Sequence, residues 1–525
     1  MSVDGAAPRV AFRVDASQAI GSGHLMRCLT LADALARGGA RCRFLLGAQA
    51  APWREAVAAR GYAVHLLSHD AAIAEGPDAP PHAAWLPWSR AADAAATATA
   101  LDRPVDWPVD WPVDWLMVDH YALDATWEAA LRPRARHILA IDDLADRAHD
   151  CDLLLDHNLQ PPGANRYAGL VPAGARVLLG PRYALLRPAF AALRAARGPR
   201  DGRIGRVVVF MGGVDAAGAT LIALDALDAA GFVGVATDVI AGAASPWLGA
   251  IRARVAARAA TELHVDTPRV AELFAAADLA LGAGGGAALE RCCLGLPTLA
   301  LVVAENQAAG MARLAAAGAA RVLPLGSDRV ATGAALAAAL RELAGDPAAV
   351  RAMAAAAGAV TDGRGAERVV ASLLRAVAPP RLRPATRKDA RSLHAWRNDP
   401  SVRAVSFSGD PIPFAAHLAW LDRTLADPGQ MILLAGWGEM DVGTVRFRVA
   451  GETATVSIAL DPGLIGIGIG GPVLLGAETA LAGRPVRRIE AHVLPGNLAS
   501  RRLFTACGYR AVSTAPERVL YEKRL

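Results

Sequence analysis

The chain has 525 residues, which is more than one hydrophobic core organises, and about 100 to 200 residues per domain predicts three units. Arginine and lysine number 55 against 50 aspartates and glutamates, so the formal net charge is +5. No dense basic block accompanies this charge, which argues against a nucleic-acid partner and suits small anionic ligands such as nucleotides.

The cysteines and the amino-terminal residues argue against several kinds of protein. The six cysteines lack CxxC or Cys/His spacing, so we expect reduced structural thiols and no metal site. No basic region followed by an apolar core opens the chain, and no run of about 18 uncharged apolar residues occurs. We therefore expect a cytoplasmic protein without a membrane span.

The first predicted element is a strand, Val10 to Val14, which leads into a turn bounded by Gly21 and Gly23. The helix that follows carries His24 and Arg27 in its first turn. A helix N-terminus attracts anions and a histidine can move protons near neutral pH, so the turn predicts a binding and proton-transfer site. An ordinary βα turn with a surface histidine is the alternative, and spacing alone does not separate the two.

Asp15 ends the same strand and has two interpretations. It is either a carboxylate that orients His24 or a residue that caps the turn.

Strands and helices alternate through residues 1–195 and again through 196–375, a pattern typical of parallel sheets with crossover helices. The predicted strands of the first series are Val10 to Val14, Arg43 to Leu46, Leu116 to Asp119, His137 to Ile141 and Leu153 to Asp156. Those of the second are Arg206 to Met211, Leu279 to Leu281 and Thr298 to Val303. Two such halves facing each other form a cleft.

A tetrapeptide, Pro-Val-Asp-Trp, is repeated three times over residues 104–115. Proline at every fourth position forbids a continuous helix or a central strand, so we predict an extended loop before a strand at Leu116. A repeat expansion without function is the favoured explanation, and a sticky surface of exposed tryptophans is the other.

Two glycine loops follow predicted strands of the second half. Gly213 lies in the first, and Gly284 and Gly285 in the second, where backbone N–H groups can hold phosphate. Glu290 follows the second loop on a helix, and either lies at the surface or binds the ligand. Asn306 and Gln307 follow the next strand, where amides can bind sugar hydroxyls or orient water.

Several blocks, taken together, resemble one enzyme family. They are residues 13–32, 118–124, 141–144, 153–158, 179–186 and 282–297, with the Asn306-Gln307 pair. They resemble the UDP-2,4-diacetamido-2,4,6-trideoxy-β-L-altropyranose hydrolases of pseudaminic acid biosynthesis, and several ordered blocks argue against chance. The resemblance implies an α/β fold with a GT-B-like pair of Rossmann domains, and UDP held mainly by the second.

The resemblance also implies roles for residues. His24 matches the catalytic base, and Glu290 the carboxylate that accepts hydrogens from the ribose diol. Water would attack the anomeric carbon without a metal, and Arg27 and helix N-termini would stabilise the departing UDP. The candidate UDP and sugar contacts are Asp15, Gly21, Gly23, Arg27, Tyr121, Gly213, Gly284, Gly285, Glu290, Asn306 and Gln307. The family usually has Ser or Thr after the second glycine loop, where this chain has Ala287-Ala288.

Residues 376–384 break the helical pattern and predict a linker, after which 385–525 form a smaller α+β unit. A strand from Ser457 runs into the glycine-rich loop 461–471, and Asn497 to Tyr509 follows. Together these resemble the two motifs of GNAT-family N-acetyltransferases, which bind acetyl-CoA. The implied coenzyme contacts are Ile467, Gly468, Gly470, Gly471, Asn497, Ser500 and Phe504.

The GNAT motifs depart from the family at functional positions. Ile465 and Ile467 stand where relatives carry polar or basic side chains, and Phe504 stands where many carry the tyrosine that protonates the CoA thiolate. Tyr509, Ser500 or water would then be the proton donor.

Residues 396–398 and 406–420 resemble the acetyltransferase that acts on UDP-4-amino-4,6-dideoxy-N-acetyl-β-L-altrosamine in the same pathway. His417, His492 or Glu452 could accept the amine proton. The sequence thus predicts a bifunctional enzyme acting on a UDP-linked aminosugar. The alternatives are a GT-B glycosyltransferase, a degenerate GNAT domain that only binds CoA, and a GNAT domain that acetylates peptides.

Overall fold

The computed structural model describes residues 7–17, 20–68, 82–103, 112–161, 163 and 165–525. It divides into two units. The larger contains Arg9–Asp33 and Cys42–Ala366, and the smaller contains Ala34–Arg41 and Glu367–Leu525.

The first sheet of the larger unit has seven parallel strands in the order β3-β2-β1-β4-β5-β6-β7. The strands are β1 (Arg9–Val14), β2 (Arg41–Leu46), β3 (Ala63–Leu66), β4 (Val113–Asp119), β5 (Ala135–Ile141), β6 (Leu153–Asp156) and β7 (Arg176–Leu179). The helices are α1 (Gly23–Arg37), α2 (Arg54–Ala58), α3 (Arg90–Leu101), α4 (Ala125–Leu131) and α5 (Pro188–Ala196).

Strand order reverses direction between β1 and β4 of this sheet. The chain first adds β2 and β3 on one side of β1, and then returns to place β4 on the other side, with Val14 opposite Asp119. In open parallel sheets a crevice forms outside the carboxyl ends of the strands at such a point, and ligands bind there. The loop after β1 and the loop after β4 therefore share one crevice.

The repeat at residues 104–115 lies partly outside the described residues, which resume at Pro112. β4 begins at Val113, three residues before the predicted strand start at Leu116. Val113 and Trp115 are both buried in the sheet, because their apolar side chains fit a strand and Pro112 comes just before it. The predicted extended loop is wrong for this last copy of the repeat.

The second sheet has six parallel strands in the order β10-β9-β8-β11-β12-β13. The strands are β8 (Arg206–Phe210), β9 (Ala236–Ala241), β10 (Thr261–Val265), β11 (Leu279–Ala283), β12 (Thr298–Val302) and β13 (Arg321–Pro324). The helices are α6 (Ala219–Ala229), α7 (Leu248–Ala256), α8 (Val270–Ala276), α9 (Ala287–Cys293), α10 (Glu305–Ala316), α11 (Arg329–Gly345) and α12 (Pro347–Val360). Here the order reverses between β8 and β11, so both predicted glycine loops lie at the switch point.

The third sheet belongs to the smaller unit, in the order β14-β15-β16-β17-β18-β20-β19. The strands are β14 (Arg381–Pro384), β15 (Gln430–Trp437), β16 (Met440–Ala450), β17 (Thr453–Leu460), β18 (Arg488–Val493), β19 (Arg510–Ala515) and β20 (Arg518–Arg524). The helices are α13 (Gly365–Val377), α14 (Ala390–Asn398), α15 (Pro400–Arg403), α16 (Phe414–Ala426), α17 (Gly470–Glu478) and α18 (Leu498–Ala506).

The pairing in the third sheet is antiparallel except between β17 and β18. Their parallel pairing ends at Val456 and Ala491, although β17 continues to Leu460 and β18 to Val493. The two strands therefore separate toward their carboxyl ends.

The predicted linker, residues 376–384, is not entirely a linker. Its last four residues form the edge strand β14, which pairs with β15. Pro384 lacks an N–H group and is tolerated because it ends a strand at the edge of the sheet.

Short 3-10 turns connect several elements: Ala48–Trp53, Ala83–Trp85, Arg132–Arg134, Pro181–Tyr183, Arg387–Asp389, Pro462–Leu464 and Thr479–Leu481. Among the described residues, no helix has both the length and the apolar character needed to cross a bilayer.

Candidate active sites

A histidine and an aspartate meet at the switch point of the first sheet. His24 is the second residue of α1, and Asp119 is the last residue of β4. Nδ1 of His24 lies 2.6 Å from Oδ1 of Asp119, and both residues are buried. His24 Nε2 has no hydrogen-bond partner among the described residues. The pair thus fixes one ring nitrogen and leaves the other available.

Arg27 lies one turn further along α1 and binds the same carboxylate. Its Nε and Nη2 donate to Asp119 at 2.6 Å each, and its Nη1 donates to Asp143 at 3.3 Å. Burial alone raises the pKa of Asp119, but the charge of Arg27 and the contact with His24 lower it well below its usual value. Asp119 is therefore an ionised acceptor for His24. The predicted role of Arg27 toward UDP is not supported by this geometry, because its guanidinium is committed to two carboxylates.

Tyr121, predicted from the sequence as a sugar contact, lies beside His24. The two rings meet edge to face with centroids 4.6 Å apart, and Trp85 stacks on Tyr121 at 5.3 Å. The Tyr121 hydroxyl donates to Asp143, and burial raises the pKa of this phenol. Tyr121 and Trp85 therefore form an aromatic wall beside the imidazole.

His157 is a second buried histidine near this cluster, and it was not among the residues predicted from the sequence. Its Nδ1 has no partner among the described residues. Burial and the charge of Arg27 lower its pKa to about 4, so it is neutral at pH 7.

Asp15 does not orient His24. Its carboxylate lies 2.8 Å from Arg13 Nη1, accepts from Gly47 N at 2.5 Å and from Gln49 at 2.8 Å, and lies 3.4 Å from His120. Asp15 is fully buried, so this set of partners satisfies a core carboxylate and ties two loops together. The alternative interpretation, a turn-organising carboxylate, describes its contacts.

The turn between β1 and α1 supplies the two predicted glycines. Gly21 has a φ of 76°, and its N–H donates to Ser17 O at 2.8 Å. Gly21 thus needs the conformational freedom that glycine has. A side chain at Gly23 would meet no atom within 4 Å, so the fold itself leaves space there.

The second glycine loop, residues 282–286, is joined to one of the predicted amides. Gln307, in the first turn of α10, accepts from Gly284 N at 3.2 Å, whereas the neighbouring Asn306 is exposed. A side chain at Gly284 would lie 2.4 Å from Met311, so the loop packs tightly against α10. At Gly285 there is room for a side chain, since an added Cβ would lie 3.7 Å from Gln307 Nε2.

Glu290, on α9, is half-buried and lies 3.5 Å from Arg187. Burial raises its pKa, and Arg187 opposes that shift. The Glu290 carboxylate is thus paired with Arg187. A ribose diol that binds this carboxylate would have to do so alongside the ion pair.

The loop after β8 is organised by its own aspartate. Asp215 accepts from Ala219 N at 2.8 Å and from Thr220 N at 3.0 Å, so it caps α6. Asp215 thereby occupies the first N–H groups of α6, and the N–H groups of the glycine loop itself stay proposed phosphate contacts. Gly213 is exposed beside them.

The GNAT-like loop follows β17 in the smaller unit. Ile465 is 43% exposed, whereas Ile467 is 3% exposed and packs inward. The predicted contact of Ile467 with the coenzyme is therefore limited to its backbone. Gly468 has a φ of 84° and its carbonyl accepts from Arg375 at 3.3 Å. Gly470 and Gly471 begin α17, whose first N–H groups have no partner within the helix.

Asn497 and Ser500 lie at the start of α18. The Asn497 side chain accepts from Ser500 N at 3.1 Å and caps the helix. Phe504 is buried between Tyr509 and Tyr521, with ring centroids 5.1 and 6.0 Å away. Tyr509 donates its hydroxyl to Glu478 at 2.9 Å, and burial raises its pKa. Of the predicted proton donors, Ser500 is half-buried at the helix start and Tyr509 is already engaged.

The three predicted amine bases lie far apart. Glu452 precedes β17 and pairs with Arg487 at 2.9 Å, whereas the glycine loop follows that eight-residue strand, roughly 26 Å away at about 3.3 Å per residue. His417 is buried against His394, with ring centroids 5.3 Å apart. His492 lies on β18 just past its last pairing with β17, and its Nδ1 is buried without a partner among the described residues. Only His492 lies where the two strands separate.

An open cavity of about 680 Å³ lies beside Asn497 in the smaller unit. Val405, Phe407, Leu494 and Pro516 give it an apolar lining, and Glu517 adds a carboxylate. Phe407 is 61% exposed, which is high for a side chain of its size.

Asp238, Glu262 and His264 place ligand atoms close enough to hold a metal ion. Arg206 already donates to Asp238 at 2.6 and 2.9 Å, and His264 lies 3.0 Å from the same carboxylate. These contacts describe a satisfied ion-pair cluster better than a metal centre.

Comparison with known proteins identifies part of the smaller unit. Residues 381–510 match the Acetyltransferase (GNAT) domain family. The chain carries a GNAT acetyltransferase domain. The predicted acetyltransferase motifs are thereby confirmed at the level of the family, and the match supports an enzyme.

Solved structures resembling the chain include three acetyltransferases, each with a TM-score of 0.26 and each covering 28% of this chain. AAC(6')-Ib in complex with ribostamycin and coenzyme A is 18% identical, with 93% of that chain covered. Spermidine N-acetyltransferase from Vibrio cholerae in complex with CoA and spermine is 16% identical, with 95% covered. An acetyltransferase from Thermus thermophilus is 27% identical, with 99% covered.

A curated relative also matches part of the chain. Spore coat polysaccharide biosynthesis protein SpsG of Bacillus subtilis (strain 168) is 32% identical over 158 residues, which are 30% of this chain and 46% of that protein. The chain thus spans less than half the length of this relative.

Proposed function

We propose that the chain is a bifunctional enzyme of pseudaminic acid biosynthesis. The GNAT domain would acetylate the 4-amino group of a UDP-linked aminosugar with acetyl-CoA. The larger unit, as a GT-B-like pair of Rossmann domains, would then hydrolyse UDP-2,4-diacetamido-2,4,6-trideoxy-β-L-altrose and release UDP. The observation that carries the hydrolase assignment is His24, held through Nδ1 by Asp119 with Nε2 free of described partners.

The proposed hydrolysis uses the two ring nitrogens of this imidazole in different roles. Asp119 accepts the Nδ1 proton, so Nε2 carries the lone pair and accepts a proton from water. The water oxygen bonds to the anomeric carbon, the bond from that carbon to the diphosphate oxygen breaks, and its electron pair leaves with UDP. Asp119 stabilises the imidazolium that forms, and Arg27 keeps Asp119 ionised.

The second sheet would hold the nucleotide. The glycine loop 282–286 lies at its switch point, where ligands of such sheets bind, and Glu290 lies on the helix that follows. Gly213, Asn306 and Gln307 remain proposed contacts on the neighbouring loops. The similarity to SpsG, named for polysaccharide biosynthesis, supports a saccharide substrate.

Acetylation would use the place where β17 and β18 separate. The loop 466–471 and the start of α17 offer N–H groups to the pyrophosphate of acetyl-CoA, with Asn497 and Ser500 nearby in the fold of the family. His492 would take the amine proton, the nitrogen would bond to the acetyl carbon, and the carbon–sulfur bond would break. Ser500, directly or through water, would return a proton to the thiolate.

The neighbouring cavity suits the proposed acceptor. Glu517 attracts an ammonium group, and Phe407 and Val405 offer an apolar surface to the methyl group of a 6-deoxy sugar. The proposal therefore includes acceptor binding in the cavity beside Asn497.

The test is a mass and NMR time course with UDP-4-amino-4,6-dideoxy-N-acetyl-β-L-altrosamine, with and without acetyl-CoA. We expect acetyl-CoA-dependent release of UDP and a diacetamido sugar by the wild type, and arrest of H24A at the acetylated nucleotide sugar. H137A is the matched control, because His137, in β5, packs on Trp115 of β4 and lies away from the switch point.

Other results of the same time course would favour the alternative functions. Hydrolysis of the preacetylated sugar without acetylation would make the GNAT domain a CoA-binding module or a peptide acetyltransferase. Sugar transfer to an added acceptor in place of water would make the larger unit a glycosyltransferase. Release of no UDP under any condition would refute the substrate assignment.

A further inference from the structure

A buried arginine that forms no ion pair with any described residue lies beside the glycine loop of the second sheet. Arg291, on α9, is 1% exposed. Its Nη2 donates to Ala283 O at 2.6 Å, but its Nε and Nη1 have no partner within the described part of the chain. Such donors are rarely left unpaired in a protein interior, so this side chain needs an explanation.

The loop is built around the guanidinium. A side chain at Gly282 would lie 2.6 Å from Arg291 Nη1, so glycine there makes room for the cation. The adjacent carboxylate, Glu290, is paired with Arg187 at 3.5 Å. Burial lowers the pKa of Arg291 to about 10, which still leaves it protonated at pH 7.

The same loop also has hydrogen-bond donors without acceptors. Gly284 N is taken by Gln307, but the N–H groups of Gly285 and Gly286 donate to no acceptor within the described residues. Gly285 is half-buried and Gly286 is exposed. The loop thus combines two N–H groups that have no described acceptor with a buried positive charge next to it.

We propose that Arg291 is the charge-supplying residue of a diphosphate site on the loop 282–286, where the loop N–H groups make the direct contacts. This inference rests on the proposed nucleotide function and deepens it. A buried unpaired charge destabilises the free protein, and a bound anion compensates it. Arg291 is therefore a positioning and electrostatic residue, which the ligand senses through the loop.

The test compares R291M and R291K with the wild-type full chain by calorimetric titration with UDP, inorganic pyrophosphate and uridine. We expect R291M to bind UDP and pyrophosphate about tenfold more weakly, because it removes a nearby charge in a low-dielectric site. R291K should retain most of the affinity, and uridine binding should change little. The melting temperature of ligand-free R291M should equal or exceed that of the wild type.

R200M is the matched control. Arg200 also lies in the larger unit, and among the described residues it donates only to backbone carbonyls, one of them Gly295 O at 2.6 Å. We expect R200M to lower the melting temperature and to leave UDP affinity unchanged. If R291M does not fold, the contrast between R291K and R291Q in the salt dependence of UDP binding tests the same charge.

The outcomes separate this inference from the proposed function. Equal UDP affinity of the wild type and R291M would overturn the role of Arg291 and leave nucleotide binding intact. A lower melting temperature of R291M with unchanged affinity would assign Arg291 a structural role. A wild type that binds neither UDP nor pyrophosphate would overturn both proposals.

Discussion

Nδ1 of His24 lies 2.6 Å from Oδ1 of Asp119, and Arg27 donates two hydrogen bonds to the same carboxylate. His24 and Arg27 share one face of α1, while Asp119 comes from the end of β4, 95 residues away from His24. The carboxylate therefore couples the imidazole to a permanent cation. In the proposed hydrolysis, a proton gained at Nε2 would be stabilised by Asp119, while Arg27 would keep that carboxylate from taking the proton itself.

Replacement of Asp119 tests this coupling. We expect D119N to reduce UDP release by about 100-fold or more, because Nδ1 loses its ionised acceptor and the ring loses its preferred tautomer. The rate of UDP release from the preacetylated sugar measures the effect. Acetyl transfer by the same variant is the internal control, since it should keep the wild-type rate. A wild-type rate of UDP release in D119N would exclude the proposed role of the pair.

We expect His149 to make the stability of the larger unit depend on pH. It lies 2.8 Å from Glu128 and 3.9 Å from Asp142, and although burial opposes its charge, these carboxylates raise its pKa to about 9. A raised histidine pKa stabilises the fold fully below about pH 6.5, and this stabilisation disappears as the pH rises through about 9.

We therefore expect H149Q to lower the free energy of unfolding by about 3 kcal/mol at pH 6, which is what a rise in pKa from 6.5 to about 9 is worth, and by much less at pH 10. Melting curves of the wild type and H149Q at both pH values check this. H137A is the control, because His137 is partly exposed and lies 4.0 Å from its nearest carboxylate. An equal loss at both pH values would mean that packing rather than charge explains the effect.

The sequence predicted the strands of both parallel sheets well where they form continuous apolar runs, as in β1 and β8, because such runs are buried on both faces. It missed β3, β7, β10 and β13, whose residues are mostly half-buried. It also missed β9, which is buried but whose apolar run is interrupted by Thr237 and Asp238. It also missed the edge strand β14, whose arginines and terminal proline resemble a linker.

The sequence predicted where the His24 site lies, but it did not predict which carboxylate binds the imidazole. His24 and Tyr121 are brought together, but the carboxylate chosen for His24 was Asp15 rather than Asp119. Both end parallel strands, and only the strand order, which local sequence does not encode, decides which one faces the imidazole. A useful signal was available, since Asp119 directly precedes His120-Tyr121 in a block already matched to the hydrolases.

The sequence also did not predict which side chains of the GNAT motifs are buried. Ile467 and Phe504 were selected from their places in motifs, and both pack in the core. A motif fixes the backbone path, whereas burial depends on residues distant in sequence, such as Tyr521 against Phe504.

Ser500 and Tyr509 are distinguishable as proton donors. Tyr509 gives its hydroxyl to Glu478 and burial raises its pKa, so we expect Y509F to keep the wild-type rate of CoA release. S500A should reduce that rate by about tenfold, which is less than the roughly 100-fold or more that loss of an acid catalyst usually costs, because water partly replaces the hydroxyl. Thiol release at saturating acetyl-CoA measures both variants. A slow Y509F with a normal S500A would reverse the assignment.

Gly468 tests whether the GNAT loop binds the coenzyme through its backbone. Its φ of 84° is unfavourable for alanine, and an added Cβ would lie 2.5 Å from Arg375. We expect G468A to reduce stability by about 1 to 2 kcal/mol and to raise the KM for acetyl-CoA by about tenfold, because the loop shifts away from the pyrophosphate. G483A is the matched control, since Gly483 has a φ of 80° and an added Cβ there meets no atom within 4 Å. It carries the same backbone strain outside the loop, so its melting temperature should fall while its KM stays at the wild-type value. Equal KM values for G468A and G483A would show that the loop does not hold acetyl-CoA.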